Sequence, residues 1–208
     1  MEIYEYIAII MLAYLLGALS PAVWIGKIFY NIDVRKHGSS SSGATNTFRV
    51  LGKKAGIPVL IIDVLKGSLA VLLAEVFYSS AKGSDAFLIF QLLLGTAAVL
   101  GHIFPVYTGF KGGKGVATLL GIMIVIEPIA AGLTVLIFLV VLYFSKFVSL
   151  SSIIGALFFP LITIFIFGVI SPAFIVFSLG VFFLVLLTHK ENLKRLANKT
   201  ESKTNLFG

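Results

Sequence analysis

The chain has 208 residues, of which 59% are hydrophobic and only 12% are charged, and its net charge is +7. Soluble domains carry about 25% charged residues, so the composition excludes a soluble globular domain and indicates a polytopic membrane protein. The absence of cysteine excludes disulfides, thiolate metal sites and cysteine nucleophiles. The basic residues are scattered between apolar segments, so we do not expect a nucleic acid partner.

Seven apolar segments follow one another along the chain, against a requirement of about 20 residues for a spanning helix. The first contains Gly17 and the pair Ser20-Pro21. Glu2 and Glu5 lie where a cleavable signal peptide would carry basic residues, so we do not expect this segment to be one. The segments are Ile3–Ile28, Ala55–Ser79, Ala86–Phe104, Val116–Ile126, Ile129–Phe144, Val148–Phe167 and Ala173–Thr188.

The number of spans depends on Glu127-Pro128, which either lies within one long helix or separates two. Proline suits the first turn of a new helix. With two helices, every basic residue except Lys66 and Lys82 lies on the side of the C-terminus, as the positive-inside rule requires. We therefore predict an all-α polytopic membrane protein with seven transmembrane helices, the N-terminus outside, the C-terminus cytoplasmic, and a single domain over residues 1–208.

This topology places three polar segments at the cytoplasmic face. They are Phe29–Lys54, Tyr107–Gly115 and His189–Gly208. Three polar segments on one side can build one site, whereas the other side has only short turns. The simplest interpretation is a site where a water-soluble cytoplasmic substrate meets a membrane-embedded one.

The second polar segment lies within Gly101–Thr118, which reads GHIFPVYTGFKGGKGVAT. Its glycines allow backbone N–H groups to surround an anion, and two lysines supply positive charge. The apolar segment from Val116 reads as a helix, whose N-terminus favours an anion. Because Lys114 is followed by Gly-Val, this is not a nucleotide P-loop. The alternative is an interfacial loop whose lysines contact lipid head groups.

The first polar segment contains the sequence HGSSSSGATNTFR, from His37 to Arg49. Small residues, hydroxyl groups, an amide and a guanidinium suit a phosphate, to which arginine binds in a bidentate manner. The alternative is a flexible linker rich in serine and glycine.

The remaining polar candidates lie in the tail and inside two spans. At helical spacing His189, Asn192 and Arg195 share one face, although a positive-inside signal alone explains the basic residues. Asp63 and Lys66, three residues apart within a span, form either a structural or a catalytic pair, and we favour the structural role. His102 either caps a helix end or belongs to the site. The three histidines are far apart, so we expect no metal and no cofactor.

Together these segments resemble the acyl-phosphate:glycerol-3-phosphate acyltransferase (PlsY-type) family of bacterial membranes. The family shows GSGNxGATNxxR, GHxFPxxxxFKGGKGVAT and HxxNxxRLxxGxE, which correspond here to Gly38–Arg49, Gly101–Thr118 and His189–Glu201. The order of the motifs and the predicted number of spans agree with the family over nearly the whole chain. The second motif is highly specific.

The resemblance implies transfer of an acyl group from acyl-phosphate to the 1-hydroxyl of glycerol 3-phosphate, at the cytoplasmic face of the bacterial inner membrane. These substrates and membrane lipid are the expected partners, and no obligate protein partner is expected. The implied catalytic residues are Ser39, Arg49, Lys114, His189 and Asn192. The implied substrate-binding residues are Gly43, Thr45, Asn46, His102, Lys111, Gly112, Gly113, Gly115, Thr118, Arg195 and Glu201.

The proton acceptor of this reaction stays open at the level of sequence. His189 is one candidate, since an ordinary histidine titrates near 6.5, and a phosphate oxygen of bound substrate is the other. Ser39 as a covalent nucleophile ranks third, because no base is visibly paired with it.

The chain departs from the family pattern at two places. Ser40-Ser41 replace Gly-Asn in the first motif, so the loop has one glycine and one amide fewer. Lys199 replaces a glycine before Thr200-Glu201, and a lysine in a left-handed conformation there would cost about 1 kcal/mol.

Two rival classes remain compatible with these loops. A transporter or channel for a phosphate-bearing solute would use Asp63 and Lys66 in its pathway. Against it, the polar segments share one face and no inverted repeat is apparent. A lipid-modifying enzyme of another phospho-alcohol class would carry a similar loop.

Overall fold

The computed structural model of the chain describes residues 2–78 and 82–204, and all regular secondary structure in those residues is helical. This confirms the all-α prediction. The chain divides into two compact units, Met1–Ile126 and Glu127–Gly208.

Within its described residues, the first unit contains six α-helices, of which the second and third, with 10 and 8 residues, are short. Single 3₁₀ turns at Val34–Lys36 and Val106–Thr108 lie in the two polar loops. The helices are α1 Ile3–Ala18, α2 Pro21–Tyr30, α3 Ala44–Leu51, α4 Lys53–Phe77, α5 Asp85–Ile103 and α6 Val116–Ile126.

The first apolar segment is broken rather than continuous. Helix α1 ends at Ala18, α2 begins at Pro21, and the two axes are bent by 40°. Pro21 occupies the first turn of α2, where its missing N–H has no helical partner to lose. The interruption leaves backbone groups unpaired inside an apolar region, and the Leu19 carbonyl accepts a hydrogen bond from the Lys66 ammonium at 2.7 Å. A buried side chain thus donates a hydrogen bond to a carbonyl that the interrupted helix leaves without a helical partner.

Glycines allow the helices of this unit to approach closely, α1 against α5 and α4 against α6. A Cβ at Gly17 would collide with the backbone of Ala98, and one at Gly121 would collide with the carbonyl of Val64. Small residues at helix contacts are the usual solution in membranes, where lipid is as apolar as the side chains. The close packing of α1 on α5 and of α4 on α6 fixes the end of α5 and the start of α6, which the second polar loop connects.

The second unit contains α7 Pro128–Ser145, α8 Val148–Leu161, α9 Pro172–Thr188 and α10 Lys190–Ala197. Helix α8 continues into one stretch of π-helix, Ile162–Ile166. Helix α7 packs on α8, and α8 packs on α9. Helix α7 begins at Pro128, directly after α6 ends at Ile126, so the predicted break at Glu127-Pro128 is confirmed.

Four helices of the described residues are long and apolar enough to cross a membrane, or up to six if each bent pair is one span. The bent pairs are α1 with α2 and α9 with α10, while α6 is a shorter apolar helix. The count of seven spans and their orientation therefore stay predictions.

Candidate active site

The first polar loop is organised around Asn46, whose side chain is 1% exposed. Its amide nitrogen lies 2.8, 3.1 and 2.9 Å from the carbonyls of Val34, His37 and Ser41, which share its two N–H donors. Its oxygen accepts from the Ser39 amide at 2.9 Å. One buried amide thus bonds to four backbone groups of the loop. The structure shows Asn46 as the organiser of the loop, and a substrate contact by Asn46 stays a prediction.

The loop keeps a glycine-like backbone at its departure from the family pattern. Gly38 and Ser40 both adopt left-handed conformations, with φ of 59° and 57°. Serine at such a position is strained, since Cβ approaches the following carbonyl. The adjacent Ser41 accepts a hydrogen bond from the Gly43 amide at 3.3 Å. The loop geometry is therefore retained without the glycine, at a cost in free energy.

Half of the first motif is helical, which the sequence did not indicate. Gly43 caps α3, and the cap places Thr45 on its first turn and Arg49 on its last. Both side chains are exposed. The helix presents a hydroxyl group and a guanidinium to solvent from a rigid element. A phosphate could be contacted here without any rearrangement of the buried loop below.

The second polar loop folds back over the end of α5. The amides of Gly112 and Gly113 donate to the carbonyls of Ile103 and His102, both at 3.2 Å. A Cβ at Gly112 would collide with the His102 carbonyl. These two glycines therefore serve the close approach of the loop to α5, and their amides are already bonded within the protein.

The features of this loop that suit an anion lie at its far end. Gly115 has φ of 83° and turns the chain into α6, whose first amides lack helical partners. Lys114 directly precedes this turn and is half-buried, whereas Lys111 is exposed. Positive charge and free helix amides thus coincide at the N-terminus of α6, as predicted from the sequence.

The two polar loops contact each other. The Ser42 amide donates to the Gly112 carbonyl at 3.4 Å, and Arg35 donates from Nη1 to the Thr108 carbonyl at 2.7 Å. Asp33 accepts from two guanidinium nitrogens of Arg35, and these bonds hold the pKa of Asp33 well below its usual range. The sequence analysis missed this contact between the two loops, although the pattern Asp-x-Arg just before the first motif was a visible signal.

A network of buried polar side chains lies beneath the second loop. Asp63 pairs with Lys66 at 2.8 Å, and both side chains are at most 3% exposed. His102 places Nδ1 at 3.4 Å from Asp63 Oδ1 and at 3.2 Å from Thr118 Oγ1. A carboxylate only accepts hydrogen bonds, so Nδ1 carries the proton. The sequence had proposed the Asp63–Lys66 pair but not its connection to His102.

In the second unit, Glu201 collects three hydrogen bonds. Its carboxylate accepts from Ser149 at 2.8 Å, from Asn192 at 2.6 Å and from Arg195 Nε at 2.7 Å. Burial alone would raise the pKa of Glu201, but the bonds from Arg195, Asn192 and Ser149 outweigh it and lower the pKa. Lys199 adopts the left-handed conformation with φ of 58°, so the predicted strain is present at that departure. Ser149 was missed, because nothing local links it to a residue so far along the chain.

His189 is buried between α9 and α10, and it caps α10. Its Nδ1 lies 2.8 Å from the Val185 carbonyl, and a carbonyl only accepts, so Nδ1 is the protonated nitrogen. In the neutral imidazole, Nε2 is then the basic nitrogen. Nε2 is therefore the ring nitrogen that could accept a proton.

The comparisons with known proteins agree with one another. A family model described as glycerol-3-phosphate acyltransferase matches residues 7–199. A glycerol-3-phosphate acyltransferase of Streptococcus pneumoniae (strain Taiwan19F-14) is 41% identical, covering 94% of this chain and 92% of the relative. One from strain ATCC BAA-255 / R6 is 42% identical with the same coverage.

Two crystal structures of PlsY, an integral membrane glycerol 3-phosphate acyltransferase, are similar along their length. Its glycerol 3-phosphate form has a TM-score of 0.87 and 32% identity, covering 98% of this chain and 100% of that chain. Its lysophosphatidic acid form has a TM-score of 0.83 and 33% identity, covering 97% and 96%.

Fold and loops together define a helical integral membrane protein whose glycine-rich, basic loops suit an anionic substrate. The comparisons with known proteins identify the family within this class of membrane proteins. The chain belongs to the glycerol-3-phosphate acyltransferase family, among integral membrane members of the PlsY type. The predicted resemblance is confirmed, as is the membrane acyltransferase class with its place in phospholipid biosynthesis. Family membership also favours the enzyme over the solute transporter left open by the sequence.

Proposed function

We propose that the protein transfers a fatty acyl group from acyl-phosphate to the 1-hydroxyl of glycerol 3-phosphate. The hydroxyl oxygen attacks the acyl carbonyl carbon, the bond from that carbon to the phosphate oxygen breaks, and the hydroxyl proton moves to a base. The products are lysophosphatidic acid and inorganic phosphate. Acyl-phosphate is an activated mixed anhydride, so orientation of the two substrates supplies much of the acceleration.

One observation carries the choice of donor: the second loop ends at the N-terminus of α6 with Lys114 beside it. Negative charge develops on the leaving phosphate and on the carbonyl oxygen, and preorganised donors at such positions contribute several kcal/mol. We assign acyl-phosphate to this end of the loop, where Gly115 turns the chain and Lys111 adds exposed charge. Gly112 and Gly113 act through the close packing of the loop.

The first loop is assigned to glycerol 3-phosphate. Arg49 and Thr45 are exposed on α3, where a guanidinium can bind a phosphate in a bidentate manner. Ser39, Gly43 and Asn46 shape the loop that carries them. Ser39 here orients substrate, because its amide is held by Asn46 and no base is paired with its hydroxyl in the described residues.

We also propose roles for the polar residues of the second unit. His189 has the tautomer with basic Nε2, and we propose that it orients the attacking hydroxyl and accepts its proton. Asn192, Arg195 and Glu201 are bonded to one another, which fixes the polar face of α10. The competing acceptor is a phosphate oxygen of the substrate, and the kinetics of His189→Ala distinguish the two.

We further propose that residues 1–208 form one domain with seven spans, the N-terminus outside and the C-terminus in the cytoplasm. Four to six spans follow from length and composition alone. The higher count rests on the positive-inside rule and on counting α6 as a separate short span. The site would then face the cytoplasm from the inner membrane, where glycerol 3-phosphate is soluble and the acyl chain stays in lipid.

The test is release of phosphate by purified protein in lipid vesicles, with acyl-phosphate and glycerol 3-phosphate added separately and together. We expect release that needs both substrates and appearance of lysophosphatidic acid by mass spectrometry. Lys114→Ala should abolish it, while Lys54→Ala, which removes an exposed lysine at the start of α4, should not. Acylation from acyl-CoA but not from acyl-phosphate would refute the donor.

The His189→Ala variant is measured in the same assay. A fall in kcat with little change in either KM supports the histidine as base. Full kcat would assign the proton to a substrate phosphate.

A further inference from the structure

The proposed reaction does not use the buried charged pair of the first unit, Asp63 and Lys66, although burying charged groups costs free energy. Asp63 and Lys66 are buried in an apolar helix region, and Asp63 Oδ2 has no hydrogen bond partner among the described residues. Removing a buried pair in favour of apolar residues is often neutral or stabilising. A pair with one unsatisfied oxygen is therefore poorly explained by stability alone.

The contacts of this pair lead to the second loop. Asp63 Oδ1 contacts His102 Nδ1 and thereby fixes the orientation of the imidazole. The opposite nitrogen, Nε2, lies so close to Gly113 that a Cβ there would collide with it. The carbonyl of the same histidine accepts from the Gly113 amide. One residue thus contacts the carboxylate with its ring and the loop with both its ring and its backbone.

The same network reaches the helix that receives the loop. Thr118 Oγ1, in the first turn of α6, contacts His102 Nδ1 at 3.2 Å. On the other side Lys66 donates to the Leu19 carbonyl at the break between α1 and α2. The buried charges therefore connect a helix interruption, the end of α5 and the start of α6. Lys114 lies in the short segment between Gly113 and α6.

From this geometry we propose that Asp63 and Lys66 are positioning residues, which act through His102 to hold Lys114 and the start of α6 in a fixed arrangement. They touch no substrate. The inference rests on the proposed function, because it concerns the loop assigned there to acyl-phosphate. A displacement of about 1 Å in a reacting geometry can cost up to about 100-fold in rate, so a modest loosening of the network is measurable.

The experiment compares Asp63→Asn with Ser68→Ala in vesicles, with KM and kcat measured for each substrate. Ser68 lies one turn further along α4 and donates to the Gly121 carbonyl of α6 at 2.9 Å, so its variant removes a contact between the same helices away from the loop. Asp63→Asn should lower kcat by about 10- to 100-fold, raise the KM of acyl-phosphate and leave the KM of glycerol 3-phosphate unchanged. Ser68→Ala should change neither kcat nor KM.

The outcomes separate this inference from the proposed function. A lowered kcat with a raised KM confined to acyl-phosphate supports both, whereas a raised KM confined to glycerol 3-phosphate supports the positioning role and refutes the assignment of the second loop. Unchanged kinetics, or equal rises of both KM values, would overturn the positioning role. Should Asp63→Asn not fold, Thr118→Val removes only the hydroxyl that contacts His102, and the same outcomes apply.

Discussion

Ser40 offers a direct test of how the first loop is built. Its φ of 57° places a non-glycine residue in the left-handed region, which costs roughly 1–2 kcal/mol. Glycine there removes that strain but loses about 0.5–1 kcal/mol more chain entropy on folding. Ser40→Gly should therefore stabilise the protein by about 0.5–1 kcal/mol. For a chain of this size the midpoint of thermal unfolding should rise by about 1–4 °C.

The neighbouring serine is the matched control. Ser41 does not have positive φ, and its hydroxyl accepts from the Gly43 amide at 3.3 Å. Ser41→Gly should therefore lower the midpoint, because it adds chain entropy and removes the acceptor. Both variants are measured in one detergent by thermal unfolding, with the acylation rate alongside. Equal shifts for the two variants, or a lower midpoint for Ser40→Gly, would refute the strain argument.

Three further predictions follow from buried contacts. Asn46→Asp should destabilise the protein by about 2 kcal/mol, because the buried side chain loses both N–H donors and faces backbone carbonyls with a carboxylate; an unchanged thermal midpoint would contradict this. Gly112→Ala should lower the acylation rate by on the order of 100-fold, since its Cβ collides with the His102 carbonyl, whereas Gly132→Ala, with open space around it, should leave the rate unchanged. The lowered pKa of Glu201 means that its hydrogen bonds stabilise the folded state above the ordinary glutamate pKa of about 4.3. This stabilisation should be lost as the pH falls through the lower pKa of the folded state. The wild-type protein should therefore lose more of its stability advantage over Glu201→Gln below pH ~4 than between pH 5 and 7.

Much of the helical framework could be predicted because apolar length and proline act locally. The break at Glu127-Pro128 was predicted from one residue, and α6 has the predicted bounds, Val116–Ile126. The same reasoning saw Ser20-Pro21 but treated Ile3–Ile28 as one segment. The structure bends there at Pro21, and Lys66, distant in sequence, satisfies the freed carbonyl. A contact between such distant residues leaves no local pattern to detect.

Helix α3 was missed for a different reason. Four consecutive serines with flanking glycines come directly before it and have little helix propensity, so the whole motif was interpreted as a loop. The helix begins only after Gly43, and the loop before it is held by the single side chain of Asn46. Tertiary bonds of a residue already inside the motif therefore decide the structure. From the sequence alone, the side-chain amide of Asn46 is equally compatible with a role as a phosphate ligand.

The second loop shows how one sequence pattern can have two physical causes. Four glycines and two lysines between two apolar segments suggested a cradle of amides around an anion. In the structure Gly112 and Gly113 are required by the close approach to α5, and their amides are bonded there. Only the turn at Gly115 leads to unpaired helix amides. Alanine at Gly112 should therefore act through the position of the whole loop, whereas loss of Lys114 removes charge directly, and the two changes should differ in their effects on KM and kcat.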